Sequence, residues 1–227
     1  MNGAIGISMA TLYAPKVRAA LDRLFAASAM QEASPPAAPP SSSFEAGSPQ
    51  ERADAKAGVY MPISARGGQL LYALVRASRP DTVVEFGTSF GISTIYLASA
   101  VADNGKGHIY STELSAAKVA AARRNLFEAG LSDTVTVLQG DALETLRTVA
   151  GTIGFALLDG WKDLCLPVLK LLEPHLTDGA LVIGDDINLP SMADYLSYVR
   201  DPENGYVSVA FPVEDGMEIS CRSGGAG

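Results

Sequence analysis

Phe155-Ala156-Leu157-Leu158-Asp159-Gly160-Trp161-Lys162-Asp163 sets the architecture of the whole chain. Four apolar residues bounded by Gly154 and Gly160 predict a fully buried parallel strand. An acid, an aromatic and a lysine follow where the strand leaves the sheet, and open parallel sheets bind ligands at that carboxyl edge. Burying a carboxylate and an amine beside an indole is costly unless they pair or do chemistry. A helix-opening Asp with a solvated Lys is the alternative for this stretch alone, so its neighbours must decide.

Outward from it, strand and helix patterns alternate from Asp81 onward, which predicts an α/β, doubly wound, mostly parallel sheet with helices on both faces. The predicted strands are Thr82 to Phe86, His108 to Thr112, Val135 to Leu138, Phe155 to Leu158 and Ala180 to Ile183. Helices are predicted over Ile92 to Val101, Ser115 to Ala129, Leu143 to Val149, Leu166 to Leu176 and Met192 to Val199. Tyr206 to Phe211 and Met217 to Cys221 are joined through Glu214-Asp215-Gly216, so short a connection that they must form a C-terminal antiparallel hairpin.

Ahead of the sheet, Pro15 to Ser28 has Val17, Leu21, Leu24 and Phe25 on one helical face. The stretch Ala33 to Pro49 is rich in Pro and Ser and predicts a linker, and a helix is predicted from Ser64 to Ala77. The expected division is residues 1–50, an N-terminal helix with its linker, and 51–227, one α/β domain. A tethered apolar helix could cover its own domain or a second copy, and a homodimer is the expectation.

Composition excludes several classes. The chain has 227 residues, 48% of them hydrophobic, which is ample for one sizeable core. Its net charge of −8, without a Lys/Arg cluster, argues against nucleic acid. No apolar run suits a membrane span, and the default is a cytoplasmic globular protein. Cys165 and Cys221 alone make a disulfide framework or a thiolate zinc site unexpected. His108 and His175 lie far apart among apolar neighbours, which disfavours histidine-based catalysis.

The strand ends carry the chemistry. Glu85 lies in the first strand before Gly87-Thr88-Ser89-Phe90-Gly91; Glu113 follows the second, Asp141 the third, Asp159 the fourth, and Asp185 and Asp186 the fifth. One such acid is usually a helix cap, whereas the whole series outlines a ligand site along one sheet edge. The glycine spacing is not that of dinucleotide binding, and no P-loop lysine is present. Glu113 is placed to accept from a ribose diol. An acidic rim repels pyrophosphate and suits a cationic nucleoside, of which S-adenosylmethionine is one.

Glu85-Phe-Gly87-Thr-Ser-Phe-Gly91-Ile-Ser93 resembles the cofactor motif of class I methyltransferases. Leu158-Asp159-Gly160-Trp161-Lys162-Asp163 with Leu166-Pro167 resembles the catalytic segment of the metal-dependent catechol O-methyltransferase and caffeoyl-CoA O-methyltransferase family. Gly184-Asp185-Asp186 with Pro190, Asp215-Gly216-Met217-Glu218, and Met61 to Gln69 extend the likeness over about Val59 to the C-terminus. The resemblance implies that Ile63, Glu85, Gly87 and Ser93 line the methionine part of S-adenosylmethionine, that Glu113 holds its ribose, and that Asp141 and Ala142 sit near adenine. Asp159 and Trp161 border the same cofactor. It implies magnesium, or another hard divalent cation, on Asp159, Asp185 and Asp186. Lys162 is the implied general base, Glu218 accepts from a second hydroxyl of a small phenolic substrate, and Trp161 and Pro190 wall its slot. Asp186 stands where the family usually has Asn, Gly67 where Lys is common, and Val59 where an aromatic stands, which favours an acceptor larger than a simple catechol. The alternatives are a metal-independent methyltransferase of this fold and a non-catalytic cofactor-binding module.

Overall fold

The computed structural model describes residues 9–34 and 47–224, so much of the Pro/Ser-rich stretch lies outside the described residues. The strands are β1 (Thr82–Phe86), β2 (His108–Glu113), β3 (Val135–Gln139), β4 (Ile153–Leu158), β5 (Leu176–Asp185), β6 (Tyr206–Phe211) and β7 (Met217–Arg222). The helices are α1 (Pro15–Ala33), α2 (Pro49–Ala55), α3 (Ala65–Ser78), α4 (Ile92–Asn104), α5 (Ala116–Ala129), α6 (Ala142–Thr145), α7 (Cys165–Leu172) and α8 (Ala193–Arg200). The strands form one sheet in the order β3-β2-β1-β4-β5-β7-β6. β1 to β5 are parallel; β7 runs antiparallel to β5, and β6 antiparallel to β7.

Strand order reverses between β1 and β4, the place where open parallel sheets leave a crevice at their carboxyl ends. Register aligns those ends: Phe86 lies opposite Leu158, and Leu158 opposite Gly184. Side chains alternate across the pleat. Val83, Phe155, Leu157, Ile183 and Met217 therefore enter the core beneath α1, α3, α4 and α5. Val84, Phe86, Ala156, Leu158 and Val182 face the core beneath α6, α7 and α8. The two helices predicted over 143–149 and 166–176 are shorter, each ending in a 3-10 turn, at Leu146–Thr148 and Glu173–His175. Pro174, which has no backbone N–H, lies within the second of these.

α1 does not stand apart. Val17, Leu21 and Leu24 are buried at helical spacing in the core that also holds Val101 of α4 and Leu126 of α5. Arg23 on its outer side donates to Asn125 at 2.9 Å, and Thr11 N donates to Asp103 at 3.0 Å. The apolar face that suggests a dimer is thus covered within the chain itself.

α2 is an element the sequence does not announce. Ser48 and Glu51 make a reciprocal capping box around Pro49 at the end of the Pro/Ser-rich run. Farther on, α3 meets α4 closely: a Cβ on Gly68 would lie 2.4 Å from the Tyr96 ring.

Leu24→Ala should lower unfolding stability by about 2–5 kcal/mol, the usual cost of emptying a buried leucine site. Denaturant titration beside the exposed control Arg18→Ala checks this, and a loss below about 0.5 kcal/mol would show that α1 is not part of the cooperative core.

Candidate active site

The crevice at the switch point is a cavity of about 880 Å³. On one side lies the turn from β1 into α4. Gly87 has φ 106° and packs so tightly that a Cβ there would sit 2.6 Å from the Asp159 carbonyl oxygen. Asp159 N donates to Phe86 O at 2.9 Å, while Gly87 N and Thr88 N donate to Thr112 O at 3.2 and 3.0 Å. Three strand ends are thereby stitched into one floor.

Glu113, at the end of β2, accepts from Ser89 N and Ser115 N, each at 2.9 Å, and lines the cavity. Ser89 lines it too, and its hydroxyl is buried with no hydrogen-bond partner among the described residues. An unmet hydroxyl beside a carboxylate fixed by two amides fits the sugar and polar head of a nucleoside. Ile63, Gly87, Ser93 and Ala142 also line the wall. Asp141 does not: it is exposed and caps α6, accepting from Leu143 N at 2.9 Å.

Glu85 sits beneath the cavity instead of lining it. It is fully buried and accepts from Ser93 Oγ and Thr94 Oγ1, each at 2.6 Å, and from Ser111 Oγ. Burial pushes its carboxyl up to about 7, although the three hydroxyls pull the other way. Glu85 is a positioning residue: it fixes the Ser93 hydroxyl and the start of α4.

On the other side of the cavity, Asp159, Asp185 and Asp186 bring carboxylate oxygens within 4.8 Å of one another. Three hard oxygen donors that close fit a divalent cation. Asp186 adopts a left-handed backbone, φ 56°, which Asn and Asp tolerate better than other non-glycine residues. Asp and Asn both fit that backbone, so either residue could stand at this turn. Burial raises the pKa values of Asp159 and Asp185, and the neighbouring carboxylates add to it.

Lys162 bridges the acids, with Nζ 2.6 Å from Asp159 Oδ1 and 3.0 Å from Asp186 Oδ2. Burial opposes its charge, but the two carboxylates prevail and hold the amine above its ordinary pKa. The two carboxylates thus hold the lysine in its charged form.

Trp161 and Pro190 line the cavity as walls. Glu218 does not reach it, which corrects the expected role. On β7 it points away from the Met217 side, is fully buried, and accepts from Arg200 Nε and Nη2 at 2.9 and 2.8 Å. The acid that does line the cavity is Glu214, four residues earlier in the hairpin turn. Glu214 accepts from Ser64 N at 2.8 Å, and its pKa is raised by partial burial and then by Asp186 and Asp159. Its only sequence signal is the acidic turn, which reads as a bare connection. Arg52, Lys56, Tyr60 and Lys118 also line the cavity unforeseen, because they come from separate elements with no shared spacing. Tyr60 stacks on Phe90 at 4.1 Å. Neither histidine lines it.

Glu85 predicts a pH dependence of stability. Its carboxyl titrates near 4.5 unfolded and about 7 folded, so between those values the folded state binds the extra proton. Its contribution is full below about pH 4.5 and is lost as pH rises towards about 7. Glu85→Gln should flatten the fall of stability across that window in denaturant titrations at several pH values; an unchanged slope would contradict the assignment.

Comparison with known proteins agrees with this geometry. Residues 84–187 match a family described as a methyltransferase domain. A catechol O-methyltransferase B of Danio rerio is 30% identical over 174 residues, 70% of this chain and 65% of that protein. A probable O-methyltransferase of Mycobacterium tuberculosis is 32% identical over 144 residues, 59% of this chain and 60% of its own length. The chain thus spans somewhat less than two thirds of these relatives. A crystal structure of an O-methyltransferase from Bacillus cereus in complex with SAH shares the fold, with TM-score 0.66 at 19% identity over 89% of this chain and all of that one. The order β3-β2-β1-β4-β5-β7-β6 and the glycine turn with its strand-end acids agree with these likenesses: over residues 84–187 the chain is similar to a methyltransferase domain, and the relatives and the structural neighbour it resembles are O-methyltransferases.

Proposed function

We propose that the protein moves a methyl group from S-adenosylmethionine to one hydroxyl of a small aromatic acceptor carrying vicinal hydroxyls, with a divalent cation on Asp159, Asp185 and Asp186. The observation that carries the proposal is the meeting, in one cavity, of a ribose-ready Glu113, three convergent aspartates and Lys162.

Phenolic hydroxyls ionise near pH 10 by the tyrosine reference, so an acceptor must be activated at neutral pH. When bound, the cofactor would supply an electrophilic methyl group, and a cation on the aspartates would acidify the hydroxyl and neutralise the carboxylates that hold Lys162 charged. The chain's own groups do the rest. Glu113 accepts from the ribose diol, and Ser89 Oγ gains the partner it lacks. Trp161 and Pro190 clamp the ring, fixing the hydroxyl in line with the donor, a contribution of alignment more than of chemistry. Glu214 accepts from the second hydroxyl, and Lys162 Nζ receives the proton released from the first. Among the described residues no helix is long and apolar enough to cross a membrane.

A second reading has one observation in its favour. Lys162 already balances two of the carboxylates at 2.6 and 3.0 Å, as a metal-independent enzyme would require.

Methyl transfer to catechols, hydroxycinnamates and flavonoids, measured with and without chelator, separates the two readings. Turnover abolished by chelator and restored by magnesium is expected; turnover indifferent to chelator supports the second reading, and none with any acceptor would sink both. Asp186→Asn should weaken magnesium binding about tenfold, since affinity follows the charge of the ligand set. Calorimetric titration of the variant reads this directly, and unchanged affinity would remove Asp186 from the site.

A further inference from the structure

Arg52 of α2 lines the cavity beside Trp161. Its guanidinium donates Nη1 to Asp163 Oδ1 and Nη2 to Asp163 Oδ2, both at 2.9 Å, a bidentate fork. The same group lies over the Trp161 ring, 4.8 Å from its centre. The cation is the more buried partner, with 12% of its side chain exposed against 50% for Asp163. Its Nε is buried with no partner among the described residues. A half-exposed ion pair contributes little, while an unmet buried donor is costly. Stability therefore gives no account of why a guanidinium is held there.

Position does. α2 has seven residues, of which only Ala53 is buried, and helices so short do not hold by themselves. Arg52 and Ala53 nevertheless line the same cavity as Trp161 and Lys162. Beyond α2 the chain is tied separately to α1, through Gln31 to Gly58 O at 2.8 Å and Tyr60 N at 2.7 Å. Loosening α2 need not detach Gly58 or Tyr60.

Resting on the acceptor slot proposed above, and against the larger acceptor that Gly67 and Val59 favour from the sequence, we infer that Arg52 is a specificity-determining residue: by joining α2 to Trp161 and Asp163 it sets the width of the slot and discriminates against bulky aromatic acceptors. Cation–π contact and the fork hold the indole in one orientation, so the slot has a fixed outer wall.

The test compares the full chain with Arg52→Ala, Arg52→Lys and Asp163→Asn. Trp161 is the only tryptophan, so its emission reports on this wall alone. Affinities for a simple catechol and a bulkier flavonoid are titrated through that emission, alongside kcat and KM for each and acrylamide quenching without ligand. Arg52→Ala should raise KM for the catechol about tenfold, with a smaller change in kcat, and shift the flavonoid-to-catechol affinity ratio about tenfold towards the flavonoid. Its indole should quench more readily. Arg52→Lys keeps the charge over the ring but not the fork, so it should restore shielding from acrylamide more than it restores discrimination. Asp163→Asn should resemble Arg52→Lys. An unchanged affinity ratio in Arg52→Ala overturns the inference, whether or not quenching rises, because the residue would then only shield the indole. Altered discrimination in binding without turnover by the parent chain would instead strike the proposed reaction and leave the role of Arg52 standing.

Discussion

Everything at the site depends on one register. Phe86 opposite Leu158, and Leu158 opposite Gly184, make β1, β4 and β5 end on a common line. The next residues are Gly87, Asp159 and Asp185, which become neighbours although they stand far apart in the chain. A slip by one residue in β4 would turn Asp159 to the other face and bury it in the apolar layer. The run Phe155 to Leu158, buried on both sides, ties that register to the cores above and below the sheet.

The same convergence brings an electrostatic cost. Asp159, Asp185 and Asp186 meet where burial disfavours negative charge, and Glu214 and Glu85 lie in the same field. Lys162 offsets part of it, through contacts at 2.6 and 3.0 Å. Such a cluster favours whatever cation enters, whether ammonium, sulfonium or metal. Trp161, Pro190 and the α2 residues Arg52 and Ala53 line the same cavity as this acidic cluster.

Much of this is legible in the residues. The apolar run Phe155 to Leu158 places the centre of the sheet, because a strand buried on both faces has no other composition, and the short Glu214-Asp215-Gly216 turn places the last two strands. Acids at strand ends locate the crevice, since the parallel sheet puts those ends together. The misplaced residues have equally physical causes. Glu218 is one step along a strand from Met217, and period-two alternation sends it to the opposite face, where Arg200 meets it. Asp141 obeys the commoner rule and is a cap. α2 is hidden because Pro and Ser, which argue for a linker, also begin helices. Arg52 and Asp163 are 111 residues apart, and no local pattern announces such a pair.

The docking of α1 has a consequence for synthesis. Arg23 meets Glu128, 105 residues later, and the leucines beside it have no cover until α4 and α5 have been made. At about 5–20 residues per second, that leaves an apolar stripe uncovered for roughly 5–20 seconds on each nascent chain. The ribosome-bound intermediate is thus the form of this protein in which an amphipathic helix is available to chaperones or to wrong partners, and the finished fold withdraws it.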